Sequence, residues 1–129
     1  MASIHREISI GVPPEHVWSA VRDIGALHTR LVPGFVTDTK LEDGARVVTF
    51  ADGSVARELI VDVDDDARRI AWAAVGTRMT HHNASLQLFA ESGGTRGVWI
   101  ADLLPHELAP FITTMIEQGL AAMKRAMEA

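Results

Sequence analysis

The chemistry open to this chain is that of histidine and carboxylate side chains, because it carries six histidines but no cysteine and no tyrosine. Lack of cysteine excludes disulfides, thiolate metal sites and thiol nucleophiles; lack of tyrosine removes a phenolic acid. His81 and His82 are neighbours, and on a strand their rings point to opposite faces, so they cannot share an ion in regular geometry. His28 and His82 are candidates to meet across an interior space, yet no HxH or HExxH spacing supports a metal site. No metal and no other cofactor is expected. There is no G-x-S-x-G and the serines are scattered, so a serine triad has no support either. Asp64-Asp65-Asp66 lacks the glycine and closing glutamate of a calcium loop and reads as a solvated turn near Arg68 and Arg69. General acid–base work is what remains. Glu58 is the carboxylate expected to serve in an apolar cavity. Beside a histidine such as His82 it could move protons on an enolisable carbonyl compound. The competing role for Glu58 is a structural ion pair with Arg57, Arg30 or an arginine at the cavity edge.

The elements that must hold these groups follow from periodicity. Ile4, Ile8 and Ile10 alternate with His5, Glu7 and Ser9, as in a half-buried strand. Gly11-Val12-Pro13-Pro14 ends that strand, and Pro14 suits the first turn of a helix. Val17, Trp18, Val21 and Ile24 then form an apolar stripe that stops at Ile24-Gly25, and Ala26 to Leu31 reads as a further short turn of helix. Six strand candidates follow: Phe35–Leu41, Arg46–Phe50, Val55–Val63, Arg69–Val75, Thr80–Ala90 and Arg96–Leu104, each bounded by turn residues. A long amphipathic helix closes the chain from about Leu108 to Met127. Leu108, Phe111, Ile112, Met115, Gly119, Ala122, Met123 and Ala126 share one side of it, an apolar arc wide enough to lie in a concave sheet. Gly119 in mid-helix costs ~1 kcal/mol relative to alanine, so it makes room for a neighbour or a ligand. The expectation is α+β: a curved antiparallel sheet of six or seven strands around the C-terminal helix. One or two short helices follow the first strand, and a single domain spans residues 1–129. One helix cannot fill such a sheet, so a cavity is expected.

This order of elements resembles the helix-grip fold, and the residues resemble the SRPBCC or START-like superfamily that carries it. Val12-Pro13-Pro14-Glu15-His16-Val17-Trp18 is similar to the family's opening. Arg57-Glu58-Leu59 followed by Asp64-Asp65-Asp66-Ala67-Arg68-Arg69-Ile70-Ala71-Trp72 is similar to its central hairpin. Thr95-Arg96-Gly97-Val98-Trp99 with Asp102 and Pro105 resembles the last strand, and Gln118-Gly119-Leu120 with Met123-Lys124 resembles the terminal helix. The superfamily includes polyketide cyclases, the birch-pollen allergen, START lipid-transfer domains and abscisic acid receptors. The chain looks like a small bacterial-type member of the polyketide cyclase/dehydrase kind. The resemblance implies that Glu58 faces the pocket. The chain is short for a large phospholipid tunnel.

Strand faces repeat every two residues. Ile70, Trp72 and Ala74 are placed inward because Trp72 is the largest apolar group; Ala84, Leu86 and Leu88 are inward on the next strand. His82 shares that face near the strand's start, at a cavity mouth. On the last strand Gly97, Trp99, Ala101 and Leu103 are taken as inward, the opposite parity pointing Asp102 inside. Trp72, Ala74, Ala84, Leu86 and Trp99 thus line one wall, and Phe111, Met115 and Gly119 the helix side. The tryptophans fit simple core filling as well. Met115, Met123 and Met127 offer a surface that adapts to shape.

The expected function is binding of a small hydrophobic molecule, lipid, polyketide or isoprenoid-like. Two alternatives stand beside it: an aromatase/cyclase-type enzyme using Glu58 and His82, and a protein-interaction module or homodimer using the outer sheet face. A net charge of −5 without a Lys/Arg cluster argues against nucleic acid. The start of the chain has no continuous apolar run, so neither a signal peptide nor a membrane span is expected, and the protein is expected in the cytoplasm.

Overall fold

A computed structural model describes residues 2–129. The alternation at the N-terminus becomes strand β1, Ala2–Ile10, with Ile4 and Ile10 buried and His5, Glu7 and Ser9 outward. Pro13 and Pro14 then turn the chain, and Pro14 opens helix α1, Pro14–Val21. Val17, Trp18 and Val21 are buried on its inner side. This helix ends a turn earlier than the apolar stripe implies, with the Arg22 N–H donating to the Trp18 carbonyl. Ile24 still packs on the core, but from a turn closed between Ala26 N–H and the Asp23 carbonyl. Leu27–Leu31 forms a single π-helical turn with Leu27 and Leu31 buried.

Six further strands follow: β2 Val36–Glu42, β3 Ala45–Phe50, β4 Val55–Asp64, β5 Arg69–Val75, β6 His81–Glu91 and β7 Gly94–Leu104. Together with β1 they make one seven-stranded antiparallel sheet in the order β1-β7-β6-β5-β4-β3-β2. β1 therefore pairs with the last strand, and the chain crosses to the far edge through α1 and the π-helical turn before returning hairpin by hairpin. Register shifts at Val36/Asp38 in β2 and Ile60/Asp62 in β4 bend the sheet, since an extra residue on one strand increases local twist and curvature.

A short turn of 3-10 helix, His106–Leu108, leads into helix α2, Ala109–Glu128. The proline at the second helical position, Pro110, costs no intrahelical hydrogen bond there. Ile116, Leu120, Ala122, Met123 and Met127 of α2 are buried. The apolar arc is thus rotated slightly from the sequence expectation: Ile116 and Leu120 reach deep, while Phe111 stays 47% exposed. Gly119 explains how closely the helix seats. A Cβ there would lie 3.0 Å from Trp99 Cζ3 and 3.3 Å from Phe35 Cε2. Its ~1 kcal/mol helix cost is offset by a ring packed against bare backbone. Among the described residues no helix is long and apolar enough to cross a membrane.

Candidate functional site

Between the concave face of the sheet and α2 lies a cavity of about 370 Å³. Such a volume is within the range of small-molecule sites. Its sheet wall includes Trp72 and Ala74 of β5, Leu86 of β6 and Trp99 of β7. Trp72 and Trp99 meet edge to face, with ring centroids 5.5 Å apart at 69°. Period-two alternation puts them side by side: Ile70, Trp72 and Ala74 share one face of β5, and Leu86 is the register partner of Trp99. The inward parity of β7 is settled in the same way. Ala101 and Leu103 are buried and Ile100 is turned outward, while a Cβ on Gly97 would meet Met123 of α2 at 3.5 Å. Asp102 lies on the outer face, accepting hydrogen bonds from Ser3 Oγ and Asn83 Nδ2.

Phe111, Met115 and Gly119 supply the helix wall. Phe111 is at the opening, where the Arg78 guanidinium stacks 5.6 Å from its ring centroid. Of the ten residues singled out from the sequence, Ala84 alone does not border the space. It is buried between its partners Trp72 on β5 and Ala101 on β7. With Trp72 beside it, a single methyl does not reach the hollow. His28 is also away from it, its Nδ1 within 3.1 Å of Thr39 Oγ1, so it does not meet His82.

Glu58 does face the cavity, in the company of Arg46. The two are register partners on β4 and β3, and Arg46 Nε donates to Glu58 Oε1 at 2.8 Å. Both are buried, at 4% and 8% exposure. Arg46 Nη1 donates to the Ile24 carbonyl at 3.4 Å, and the guanidinium lies 5.9 Å from the Trp72 ring centroid. The arginines considered as partners from sequence are engaged elsewhere: Arg57 with Glu42 and Arg30 with Asp23. Likewise the acidic turn is not merely solvated near Arg68 and Arg69. Asp65 accepts from Trp18 Nε1 at 2.9 Å and Arg22 Nε at 2.8 Å, whereas Arg68 reaches Glu15. These donors hold the Asp65 carboxyl below its ordinary value.

His82 borders the cavity near the start of β6. The Ala74 backbone N–H donates to its Nδ1 at 2.9 Å. Burial pushes the His82 pKa down to about 4; the neighbouring His81 adds to this, and Asp102 opposes it. The ring is therefore neutral at physiological pH. Sequence reasoning missed Arg46, Phe35 and Phe50 as lining groups. The signal for Arg46 and Phe50 is the alternation of β3, which puts both on one face with the fully buried Val48. Phe35 and Phe50 form a second edge-to-face pair, 5.5 Å between centroids. Among the described residues no group of three or more His, Cys, Asp or Glu is placed to hold a metal ion.

A single bent antiparallel sheet gripping a long C-terminal helix, with a hollow between them, defines a helix-grip protein. Solved structures of this shape include protein XoxI from Bacillus cereus (TM-score 0.87, 20% identity, covering 98% of this chain and 96% of that one). A norcoclaurine synthase point mutant from Thalictrum flavum, in complex with a transition-state analogue, matches with TM-score 0.71 at 21% identity, covering 98% and 91%. Ara h 8.0201 matches with TM-score 0.75 at 17% identity, covering 98% and 97%. At such identities these likenesses speak for the fold. No curated protein matches the sequence. The profile of the family described as "polyketide cyclase / dehydrase and lipid transport" matches residues 1–128, and the chain belongs to that family.

Proposed function

We propose that the protein binds a small hydrophobic molecule, of lipid, polyketide or isoprenoid type, between the sheet and α2. The observation that carries this reading is the cavity itself: about 370 Å³, walled mostly by aliphatic and aromatic side chains and open beside Phe111. In this reading Trp72, Trp99, Leu86 and Met115 contact the ligand, Ala74 and Gly119 leave it room, and Phe111 borders its entrance. A flat ligand burying ~300 Å² of apolar surface gains about 7 kcal/mol at 25 cal/mol per Å². Association costs reduce that gain, so micromolar affinity is expected. Native mass spectrometry of freshly purified protein tests the proposal, since a retained ligand adds its own mass. A ligand-free mass, together with no uptake of any apolar probe, would refute it.

A second reading is that the cavity works as an aromatase/cyclase-type site. It is favoured by one observation, that Glu58 and His82, a carboxylate and an imidazole, border the same apolar space. The neutral His82 and the arginine-paired Glu58 are the groups that would hold or move protons on an enolisable substrate. Turnover of a poly-β-ketone substrate that survives unchanged in both Glu58→Gln and His82→Ala would remove it.

A further inference from the structure

The sheet comes apart at one place, and His82 sits in the gap. β5 and β6 pair from Arg69↔Gln87 to Trp72↔Ala84 and no further. Continuing that register would put Ala74 opposite His82. On either side the neighbours stay zipped: β4 holds β5 as far as Arg57↔Val75, and β7 holds β6 as far as His81↔Leu104. The two halves of the sheet therefore splay beside the cavity mouth, and the ladder gives no partner to the Ala74 N–H. A backbone N–H away from water must find an acceptor, and it finds His82 Nδ1 at 2.9 Å.

That bond fixes the ring chemically. A neutral imidazole has one donor and one acceptor nitrogen. With Nδ1 used as acceptor, the proton is on Nε2. His82 makes no other hydrogen bond among the described residues, and none of its atoms is both sealed from solvent and unpartnered. The remaining polar groups of the wall are largely spoken for. Arg46 is held at Nε by Glu58 and at Nη1 by the Ile24 carbonyl. Ser54 Oγ donates to Asp52, and Thr77 Oγ1 accepts from the Met79 N–H. Arg78 is drawn over Phe111 at the opening.

Resting on the binding function proposed above, we infer that His82 serves as a fixed Nε2–H donor that selects neutral apolar ligands carrying a carbonyl oxygen. In this role it is a specificity-determining group and not a base, because its acceptor nitrogen is already occupied by the backbone. A ligand without an acceptor leaves that N–H unpaired once water is expelled, which is the costly outcome for a buried donor. A neutral ligand suits the wall, because its two buried charges, Arg46 and Glu58, already compensate one another.

The test pairs two probes of nearly equal shape, 2-acetylnaphthalene and 2-isopropenylnaphthalene, titrated calorimetrically into the protein and into His82→Phe. The ketone should bind the parent protein about tenfold more tightly, and the two should bind His82→Phe within about twofold of each other. Equal affinities in the parent protein, or a ketone preference that persists in His82→Phe, would overturn the assignment to His82 while leaving cavity binding intact. Binding of neither probe to the parent would overturn both. Nitrogen-15 NMR of the histidine rings supplies a readout that needs no variant. The Nε2–H tautomer at neutral pH is expected for His82, and a ring protonated on Nδ1 would refute the inference.

Discussion

Replacing Glu58 by glutamine removes one charge from a buried pair and almost nothing else. The Arg46 and Glu58 side chains are 5% and 10% exposed and 2.8 Å apart, on register partners of adjacent strands. Without the carboxylate, the guanidinium keeps the Ile24 carbonyl and the face of Trp72, neither of which carries a charge. Breaking a buried pair from one side costs about 3–5 kcal/mol, because the partner is left uncompensated. Glutamine retains the shape and one acceptor, so a loss of about 3 kcal/mol is expected for Glu58→Gln. At roughly 2.1 cal/mol/K per residue, 129 residues give an unfolding entropy of about 0.27 kcal/mol/K. The midpoint of thermal unfolding should thus fall by about 11 °C. Urea unfolding followed by tryptophan fluorescence at pH 7 measures the same loss. The double variant Arg46→Met/Glu58→Leu is the control. Apolar replacements of a whole buried pair are often neutral or stabilising, so it should lie within about 1 kcal/mol of the parent protein. A Glu58→Gln protein as stable as the parent, or a double variant as damaged as the single one, would refute the reasoning.

Three more outcomes follow from the same geometry. With the folded His82 pKa near 4 against 6.5 when unfolded, the unfolded chain binds a proton that the folded protein refuses. Stability should therefore be unaffected above about pH 6.5 and fall as pH drops toward 4. The full shift corresponds to about 3 kcal/mol, and partial exposure of the ring reduces this to roughly 1–2 kcal/mol; a His82→Gln protein with an identical pH–stability curve would contradict it. Gly119→Ala gains ~1 kcal/mol of helix propensity but places a methyl 3.0 Å from Trp99 Cζ3. Overpacking costs about 1–3 kcal/mol, so a net loss of ~1 kcal/mol is expected in urea, and a net gain would be inconsistent with the packing described. Phe111→Ala, at a half-exposed site on the opening, should leave stability within about 1 kcal/mol of the parent, where surface positions usually fall, and speed ligand release in stopped-flow displacement; unchanged release would place the entrance elsewhere.

The terminal helix and the strands were legible because each carries a plain period. Gly119, Ala122, Met123 and Ala126 recur with helical spacing, and Ile70, Trp72 and Ala74 with a strand's. One helix against a curved sheet then implied the hollow, and parity supplied most of its wall. What resisted reading depends on pairing across strands. The partnership of Arg46 with Glu58 is set by the β3–β4 register, which no local pattern states, so Arg57 and Arg30 looked equally available. The early end of the β5–β6 ladder, which engages His82, is likewise a matter of pairing across strands. Ala84 shows the limit of parity: it faces the same way as Leu86, yet lies beside its register partner Trp72 and does not border the space. The end of α1 at Val21 likewise reflects a tertiary hold, Asp65 gripping Trp18 and Arg22 from the β4–β5 turn.

Filling the space tests the central claim most directly. Ala74 borders the cavity from β5 and is half-buried, so Ala74→Phe would add a ring to the hollow with little disturbance of the sheet. Equilibrium titration of the neutral fluorescent probe N-phenyl-1-naphthylamine into both proteins, with unfolding curves to show that each is folded, compares them. Saturable micromolar binding to the parent protein and at least tenfold weaker binding to Ala74→Phe is the predicted result. Equal binding by the two folded proteins would contradict a ligand site between the sheet and its helix.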